Sequence, residues 1–195
     1  MRADEAMLAR LFNDARSQNG WRDGPVREEE IRAAYDIAKW GPTSMNTQPM
    51  RLVLLRSVEA KERLRPALAP GNVGKVMSAP VVAIIAYDTT FYTELPRTFP
   101  HNPDAQGRFA GNPAVSESTA LRNSTLQGAY FMLALRAVGL DIGPMSGFDA
   151  GKVDAEFFEG SSWRTNFICS IGKGDPAMVF ERLPRLEFDE VARSL

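Results

Sequence analysis

Hydrophobic residues recur along the chain with two periods, and these periods predict where helices and strands lie. Apolar positions three or four residues apart predict helices over residues 3–15, 27–40, 58–68 and 150–158. Short apolar runs predict strands over residues 51–56, 80–87 and 166–171. The middle run, PVVAIIAY, does not alternate with polar residues, so we expect this strand to be buried on both faces.

The longest predicted helix covers residues 116–139 and ends at Gly139. A helix that is apolar around most of its circumference must be buried on most sides. In a chain of 195 residues a subunit interface is a natural place to bury it, which favours a homodimer. Its apolar positions include Leu121, Leu126, Ala129, Tyr130, Met132, Leu133 and Leu135.

The remaining segments complete the fold prediction. Residues 89–115 are rich in Pro, Asn and Gly and predict a long loop, whose aromatic residues either cover a ligand or anchor the loop. The tail from Pro176 is predicted to be extended, since Pro176 and Pro184 oppose a helix. Helices and strands are mixed without regular alternation, which favours a single α+β domain over residues 1–195.

Composition excludes several classes of protein. With 23 Lys and Arg against 24 Asp and Glu, the chain lacks the basic excess typical of nucleic-acid binding. Its one cysteine, Cys169, allows no intrachain disulfide and lies in a strand predicted to be buried, where we expect it to be inert. The N-terminus has no apolar run of the signal-peptide kind, and residues 79–87 are too few to span a bilayer. We therefore expect a cytoplasmic protein without membrane contact.

Common catalytic motifs are also missing. One histidine, His101, and one cysteine nearly exclude a His/Cys metal site. His101 lies in a proline-rich loop and no nucleophile elbow accompanies it, so we leave it outside the catalytic set. The P-loop and GxGxxG patterns are absent. If the chain is an enzyme, we expect a bound cofactor to carry the difficult step, and we assign no side chain as catalytic.

Four segments indicate what that cofactor is. An arginine beside a serine at a helix end, Arg16-Ser17, is suited to holding a phosphate. The stretch GPTSMNTQP places neutral hydrogen-bonding side chains between two prolines, which suits the edge of a heterocycle. An Asn-x-x-Lys pair, Asn72 and Lys75, precedes the strand over 80–87. In PMSGF, which follows the long helix, Gly147 permits close approach of the backbone to a flat ring.

Taken together, these segments and an arginine near the C-terminus resemble the nitroreductase family of FMN flavoproteins in order and rough spacing, over nearly the whole chain. More narrowly, the stretches KWGPTSMNTQP, LPRTFPHNPDA, ALRNSTLQGAYFMLALRAVGLDIGPMSGFD and NFICSIGKGDP resemble the malonic semialdehyde reductases of bacterial uracil (pyrimidine) degradation. The resemblance implies a nitroreductase-like fold, in which helices flank a central, mostly antiparallel sheet and two chains form an intertwined homodimer.

The resemblance also implies which residues bind FMN. Near the phosphate and ribityl chain it places Arg16, Ser17, Asn19 and Arg185, with Arg182 as the alternative to Arg185. From the partner subunit it brings Thr43, Ser44 and Asn46 to the flavin. At the pyrimidine edge it places Asn72 and Lys75, and along the ring near N5 it places Pro144, Ser146 and Gly147. Two positions depart from the family pattern: Asn19 stands where a basic residue is frequent, and Ser146 where many members have an acidic one.

The implied reaction is a ping-pong hydride transfer from NAD(P)H through flavin N5 to a small acceptor. The narrower resemblance implies reduction of malonic semialdehyde to 3-hydroxypropanoate. Three alternatives stay open at this point: a general nitroaromatic or quinone reductase of the same family, a flavin-binding protein without turnover, and an interaction protein without a cofactor. The preference for NADH or NADPH also stays open.

Overall fold

Four antiparallel strands form the centre of the computed structural model, which describes residues 4–195. Their order across the sheet is β1-β2-β4-β3, so β2 and β4 are central. All eight residues of β2 are buried, which confirms the prediction for PVVAIIAY. The strands are β1 Met50–Leu55, β2 Val81–Asp88, β3 Asp141–Met145 and β4 Trp163–Gly172.

Helices cover both faces of this sheet. The first helix continues as a π-helical segment, Ala9–Asn13, and short 3-10 helices lie at Ser44–Asn46, Arg65–Ala67, Phe91–Glu94 and Pro176–Met178. Among the described residues, none of the helices is both long and apolar enough to cross a membrane. The α-helices are α1 Glu5–Leu8, α2 Glu28–Ala38, α3 Val58–Leu64, α4 Pro70–Met77, α5 Leu95–Thr98, α6 Ala105–Ala110, α7 Pro113–Ala137, α8 Ala150–Phe157 and α9 Phe188–Val191.

Strand β2 divides the core in two because successive side chains of a strand point to opposite faces. Its Ala83 and Ile85 pack on one face, in the cluster that includes Phe131 of α7. Its Val82 and Ile84 pack on the other face. There they meet buried residues from α3, α4 and α8, namely Leu64, Val76 and Val153.

Helix α7 approaches the sheet closely at one glycine. A Cβ on Gly128 would lie 2.7 Å from Cζ of Phe167 on β4, so only glycine allows the two elements to pack at this distance. The buried face of α7 is not wholly apolar, since Asn123 and Gln127 are buried there while Leu121 is exposed. A single chain therefore does not bury this helix on most sides, and its burial at a subunit interface stays a prediction.

Other predictions of secondary structure also need correction. The helix over 3–15 is confirmed at Glu5–Asn13 as α-helix and then π-helix, while residue 3 lies outside the described residues. The 89–115 segment is not one long loop, because it contains α5, α6 and the beginning of α7. The tail contains the one-turn helix α9. Strand β3 was not predicted; its Pro144 is tolerated because β3 lies at the edge of the sheet.

Helix α4 was also not predicted, since it begins at Pro70 and contains two glycines. Lys61, a buried lysine on α3, holds the C-terminal end of α4 in place. Nζ of Lys61 donates to the carbonyl oxygens of Met77 at 2.9 Å and Ala79 at 2.8 Å. Burial lowers the pKa of this ammonium. The tertiary contact thus supports a helix whose own sequence is a poor helix former.

Asp88, at the end of β2, anchors the segment that follows the central strand. Its carboxylate accepts hydrogen bonds from Oγ of Ser162 at 2.7 Å and from the backbone N–H of Thr90 at 2.8 Å. Arg51 forms an ion pair with it at 2.8 Å. Burial alone would raise the pKa of Asp88, but these hydrogen bonds and the Arg51 charge outweigh burial, and the net pKa is lowered.

Asp88→Asn is expected to reduce the free energy of unfolding at pH 7 by about 2 kcal/mol, because charged hydrogen bonds are lost. A lowered folded-state pKa contributes stability above the unfolded pKa, and that contribution disappears as the pH falls through the folded value. The difference from wild type should therefore shrink below about pH 4, the ordinary aspartate range. Urea unfolding across pH 3–7, with the exposed Asp36→Asn as control, checks this. A pH-independent difference would contradict it.

Candidate functional site

A cleft of about 590 Å³ lies where the N-terminal segment, α4, the end of α7 and the C-terminal tail meet. Five basic side chains line it and one acidic side chain, Glu181, is among them. Such an excess of positive charge in a concave site favours an anionic ligand. The structure brings together here six residues that the sequence indicated for the phosphate end or the pyrimidine edge: Arg16, Ser17, Asn19, Lys75, Arg182 and Arg185.

Arg16 and Ser17 reach the cleft because their segment adds to the edge of the sheet. Ser17 pairs with Ile142 of β3 in a parallel bridge, and the backbone N–H of Gln18 donates to the carbonyl of Ile142 at 2.9 Å. A Cβ on Gly143 would lie 2.6 Å from the carbonyl oxygen of Gln18. Glycine at this position therefore permits the close approach that holds the Arg-Ser pair in place.

The C-terminal tail closes the cleft by crossing back over the N-terminal segment. Nη2 of Arg182 donates to the carbonyl of Asn13 at 2.6 Å, and Nδ2 of Asn19 donates to the carbonyl of Met178 at 3.3 Å. Arg16 donates to the carbonyl of Phe180. These contacts connect the two ends of the chain through side-chain donors and backbone acceptors. Arg182 and Arg185 both line the cleft, so each remains a candidate for the phosphate contact.

Arg136 is a cleft residue that sequence reasoning missed. It lies in the last turn of α7, and its Nη1 donates to the carbonyl of Leu11 at 2.7 Å. Burial lowers the pKa of its guanidinium, and the nearby Asp141 opposes that shift. The N-terminal segment is fixed to the same turn, because Nε of Arg10 donates to the carbonyl of Arg136 at 2.9 Å. The available signal was a basic residue in the last turn of the long helix, after the apolar run Ala129–Leu135.

Asn72 and Gly147 lie in direct contact. Nδ2 of Asn72 donates to the carbonyl of Gly147 at 2.9 Å, and the backbone N–H of Ala69 donates to the same oxygen at 3.0 Å. Pro144, Ser146 and Gly147 are all exposed at this edge. Helix α4 thus fixes the PMSGF segment through backbone and side-chain hydrogen bonds.

Trp21 connects α4 to the sheet beside this contact. Its Nε1 donates to the carbonyl of Lys75 at 3.2 Å. Its ring lies against Gly172, where a Cβ would be 2.6 Å from Cε3 of the indole. The indole therefore fixes the backbone of Lys75 relative to β4 and the cleft.

Thr43, Ser44 and Asn46 lie elsewhere: among the residues from 4 to 195, they are not part of the cleft lining. The backbone N–H of Ser44 donates to Oδ1 of Asn123 at 2.8 Å, and Nδ2 of Asn46 donates to the carbonyl of Thr98 at 2.7 Å. One chain alone does not bring this group to the cleft. Its contribution from a partner subunit stays a prediction.

The two residues considered for other chemistry do not line the cleft in the described part of the chain. His101 is exposed, and its ring lies 3.9 Å from the ring of Phe99, measured between centroids. Cys169 is completely buried, and burial raises the pKa of its thiol to about 12. The expectation that Cys169 is a core residue is confirmed, since such a thiol stays protonated at neutral pH.

Comparison with known proteins identifies the family. Residues 15–173 match the nitroreductase family. HadB of Ralstonia pickettii, provisionally named an NADH dehydrogenase/NAD(P)H nitroreductase, is 57% identical over 185 residues, which cover 94% of each chain. A relative from Cupriavidus pinatubonensis with the same provisional name is 54% identical over 189 residues, 96% of each chain. This chain belongs to the nitroreductase family.

Solved structures show the same fold at low sequence identity. A provisionally named nitroreductase of Exiguobacterium sibiricum, crystallised with FMN, superposes with a TM-score of 0.85 at 22% identity and covers 100% of this chain and 99% of its own. CLA-ER, an enone reductase of gut-bacterial fatty acid saturation, superposes with a TM-score of 0.74 at 19% identity, covering 97% and 96%. The predicted nitroreductase-like α+β fold is confirmed.

Gly147→Ala tests the contact between α4 and the PMSGF segment. A Cβ at this position would lie 2.6 Å from Nδ2 of Asn72, so the amide must move and lose its hydrogen bond. We expect a loss of about 1 kcal/mol in the free energy of unfolding, and a smaller loss in an Asn72→Ala background. Gly74→Ala on the same helix meets nothing within 4 Å and should not destabilise. Equal losses from Gly147→Ala in both backgrounds would contradict the assignment.

Proposed function

We propose that this chain is an FMN-dependent oxidoreductase that transfers a hydride from NAD(P)H to a small acceptor. The observation that carries the proposal is the cleft of about 590 Å³ in which five basic side chains outnumber one acid. This volume is within the range of roughly 300–1,000 Å³ that cofactor pockets occupy. Membership of the nitroreductase family and the FMN in the Exiguobacterium sibiricum structure support the choice of cofactor.

The donor set of the cleft fits a phosphate at one end. Guanidinium groups bind phosphate oxygens through charged, often bidentate hydrogen bonds, and a serine hydroxyl adds a donor. The residues proposed for the phosphate and ribityl chain are Arg16, Ser17, Asn19, Arg182 and Arg185.

The flavin ring would extend from Lys75, which lines the cleft, toward Asn72 and the PMSGF segment, which lie outside the cleft lining in the described part of the chain. FMN, when bound, supplies the chemistry of accepting and donating a hydride, and the protein supplies orientation and electrostatics. Lys75 would bring a positive charge to the pyrimidine edge, which gains negative charge on reduction, and Asn72 lies one helical turn before Lys75 on α4. Pro144, Ser146 and Gly147 would lie along the ring.

We infer that two copies of the chain form the working enzyme. Thr43, Ser44 and Asn46 lie away from the cleft of their own chain, so a second copy would have to bring them to the flavin. Large apolar side chains are exposed on the single chain, among them Trp40 with 82% of its surface accessible. Exposed apolar surface of this extent favours a protein partner. Further exposed apolar side chains lie on α7 and the tail, namely Leu121, Leu126, Phe180, Leu183, Leu186 and Phe188.

Two acceptors are supported by different observations. Malonic semialdehyde, reduced to 3-hydroxypropanoate, follows from the four sequence stretches that resemble the reductases of uracil degradation. A nitroaromatic acceptor is favoured by the provisional nitroreductase names of the relatives that are 57% and 54% identical, and a quinone is the related alternative of the family. We propose the aldehyde as the physiological acceptor and the nitroaromatic or quinone as the second candidate.

Arg16→Ala should weaken FMN binding by roughly tenfold to a hundredfold, the effect of losing a charged hydrogen bond worth about 1.5–3 kcal/mol. Fluorescence titration of the apoprotein with FMN measures the dissociation constant. Arg32→Ala, which removes an exposed arginine paired with Glu28 on α2, is the matched control and should bind like wild type. Unchanged affinity in Arg16→Ala would show that the phosphate assignment is wrong.

The acceptor is tested by turnover. Under anaerobic conditions NADH or NADPH should bleach the flavin absorbance of the holoenzyme, which distinguishes an enzyme from a passive flavin-binding protein. Steady-state rates are then compared for malonic semialdehyde, a nitroaromatic and a quinone with each nicotinamide. We expect kcat/KM to be highest for the aldehyde. A negligible rate with the aldehyde beside rapid reduction of the others would refute the proposed acceptor and leave the second candidate.

A further inference from the structure

Three side chains of α7 hold residues 41–49 of the chain, through contacts at Gly41-Pro42, at Ser44 and at Met50, the strand residue that directly follows the segment. Asn123, Gln127 and Tyr130 follow one another at spacings of four and three residues, so they lie on the same face of the helix. We call these three residues the α7 stripe. The 41–49 segment carries Thr43, Ser44 and Asn46, which are proposed to contact FMN.

Two carboxamides of the stripe accept hydrogen bonds from the backbone. Oδ1 of Asn123 accepts from the N–H of Ser44 at 2.8 Å, and Oε1 of Gln127 accepts from the N–H of Met50 at 2.9 Å. The side chains are buried, with 3% of Asn123 and 6% of Gln127 accessible. The bond to Met50 is buried, so loss of its acceptor would leave an unpaired N–H and this bond constrains the backbone strongly; the bond to Ser44 is partly buried.

Tyr130 holds the other end of the segment. Its hydroxyl donates to the carbonyl oxygen of Pro42 at 3.2 Å. Its ring packs against Gly41, where a Cβ would lie 2.0 Å from Cδ2 of the ring. No side chain fits between the segment and α7 here, so glycine is required for the contact.

The segment needs such external support because its backbone is strained. Met45, Asn46 and Gln48 have φ angles of 50°, 50° and 43°, in the left-handed region that residues other than glycine rarely adopt. Conformations of this kind persist where surrounding contacts over-determine them, and they cluster at functional sites. The bonds from α7 are contacts of this type.

The orientation of Asn123 is itself fixed. Its Nδ2 donates to the carbonyl of Thr119, one turn earlier on α7, at 2.9 Å. The amide is therefore turned so that Oδ1 faces the N–H of Ser44. Both polar atoms of this side chain are paired, which holds the acceptor in one position.

We propose that the α7 stripe sets the conformation of the 41–49 segment and thereby the affinity of the protein for FMN. The inference rests on the proposed function, in which Thr43, Ser44 and Asn46 contact the flavin. The stripe residues are positioning residues, since they act through the segment. Their polar groups, on a helix face that packs against the segment, thus help to form the binding site.

Titration of apoprotein variants with FMN tests the proposal. Gln127→Leu removes the acceptor for the N–H of Met50 and should raise the dissociation constant roughly tenfold, the factor that corresponds to about 1.4 kcal/mol. Gln127→Glu retains a carboxyl oxygen as acceptor and should restore affinity to within about threefold of wild type. Tyr130→Phe keeps the ring against Gly41 and removes the hydroxyl alone; it should weaken binding and alter the circular dichroism of the bound flavin.

Ser124→Ala is the matched control. Ser124 is fully buried on the same helix, but its hydroxyl bonds to the carbonyl of Ala86 on β2 at 3.3 Å and not to the 41–49 segment. It should bind FMN like wild type even where its thermal stability falls. If Tyr130→Phe and a folded Gln127→Leu both bind FMN like wild type, this inference is refuted while the proposed function stands. The same holds if Ser124→Ala weakens FMN binding as much as the stripe variants do. Should Gln127→Leu not fold, Tyr130→Phe decides. A wild-type protein that binds no FMN would refute the proposed function and this inference with it.

Discussion

Repulsion between like charges is the constraint on which the candidate site depends. Arg16, Lys75, Arg136, Arg182 and Arg185 line one cleft although they come from the N-terminal segment, α4, α7 and the tail. Side chains of the same sign gathered in a concave site are unfavourable unless an anion compensates them. Most of these elements are held by hydrogen bonds to backbone oxygens, so the charges cannot simply move apart. A negatively charged ligand would relieve this repulsion, so we expect such a ligand to stabilise the arrangement.

The elements around the cleft fix where these basic side chains lie. The edge strand β3 receives the Arg16–Ser17 segment through the pairing of Ser17 with Ile142. Lys61 fixes the C-terminal end of α4, and Trp21 fixes the backbone of Lys75 against the sheet. Helix α7 connects the two proposed parts of the site, because its last turn carries Arg136 while its earlier turns hold the 41–49 segment. One helix thus relates the basic cleft to the 41–49 segment, which we propose reaches the flavin of a partner subunit.

The sequence predicts the elements whose own residues dominate their stability. Strand β2 is a continuous apolar run and α7 is long, so tertiary context does not obscure either. Strand β3 contains a glycine and a proline, and it forms only because β4 supplies the hydrogen-bonding partner. Helix α4 depends on contacts such as that of Lys61, which no local pattern reveals.

The residues of the site also divide into those that local sequence indicates and those that only the folded chain brings together. Arg16 and Lys75 belong to recognisable motifs, whereas Arg136 is brought to the cleft by folding alone. Asn123 and Gln127 are two of many polar positions in the first half of α7, and their role depends on which segment packs against their face. Sequence periodicity assigns a face to such residues, but their hydrogen-bond partners come from distant parts of the chain.

The most direct test of the central claim compares FMN with riboflavin, which has the same ring but no phosphate. Isothermal titration of the apoprotein should show FMN binding at least a hundredfold tighter than riboflavin, a difference of about 2.7 kcal/mol that two charged hydrogen bonds readily supply. The advantage of FMN should shrink as salt is added, because the cleft is partly open to solvent. Equal affinity for the two compounds, or no binding of either, would contradict the account.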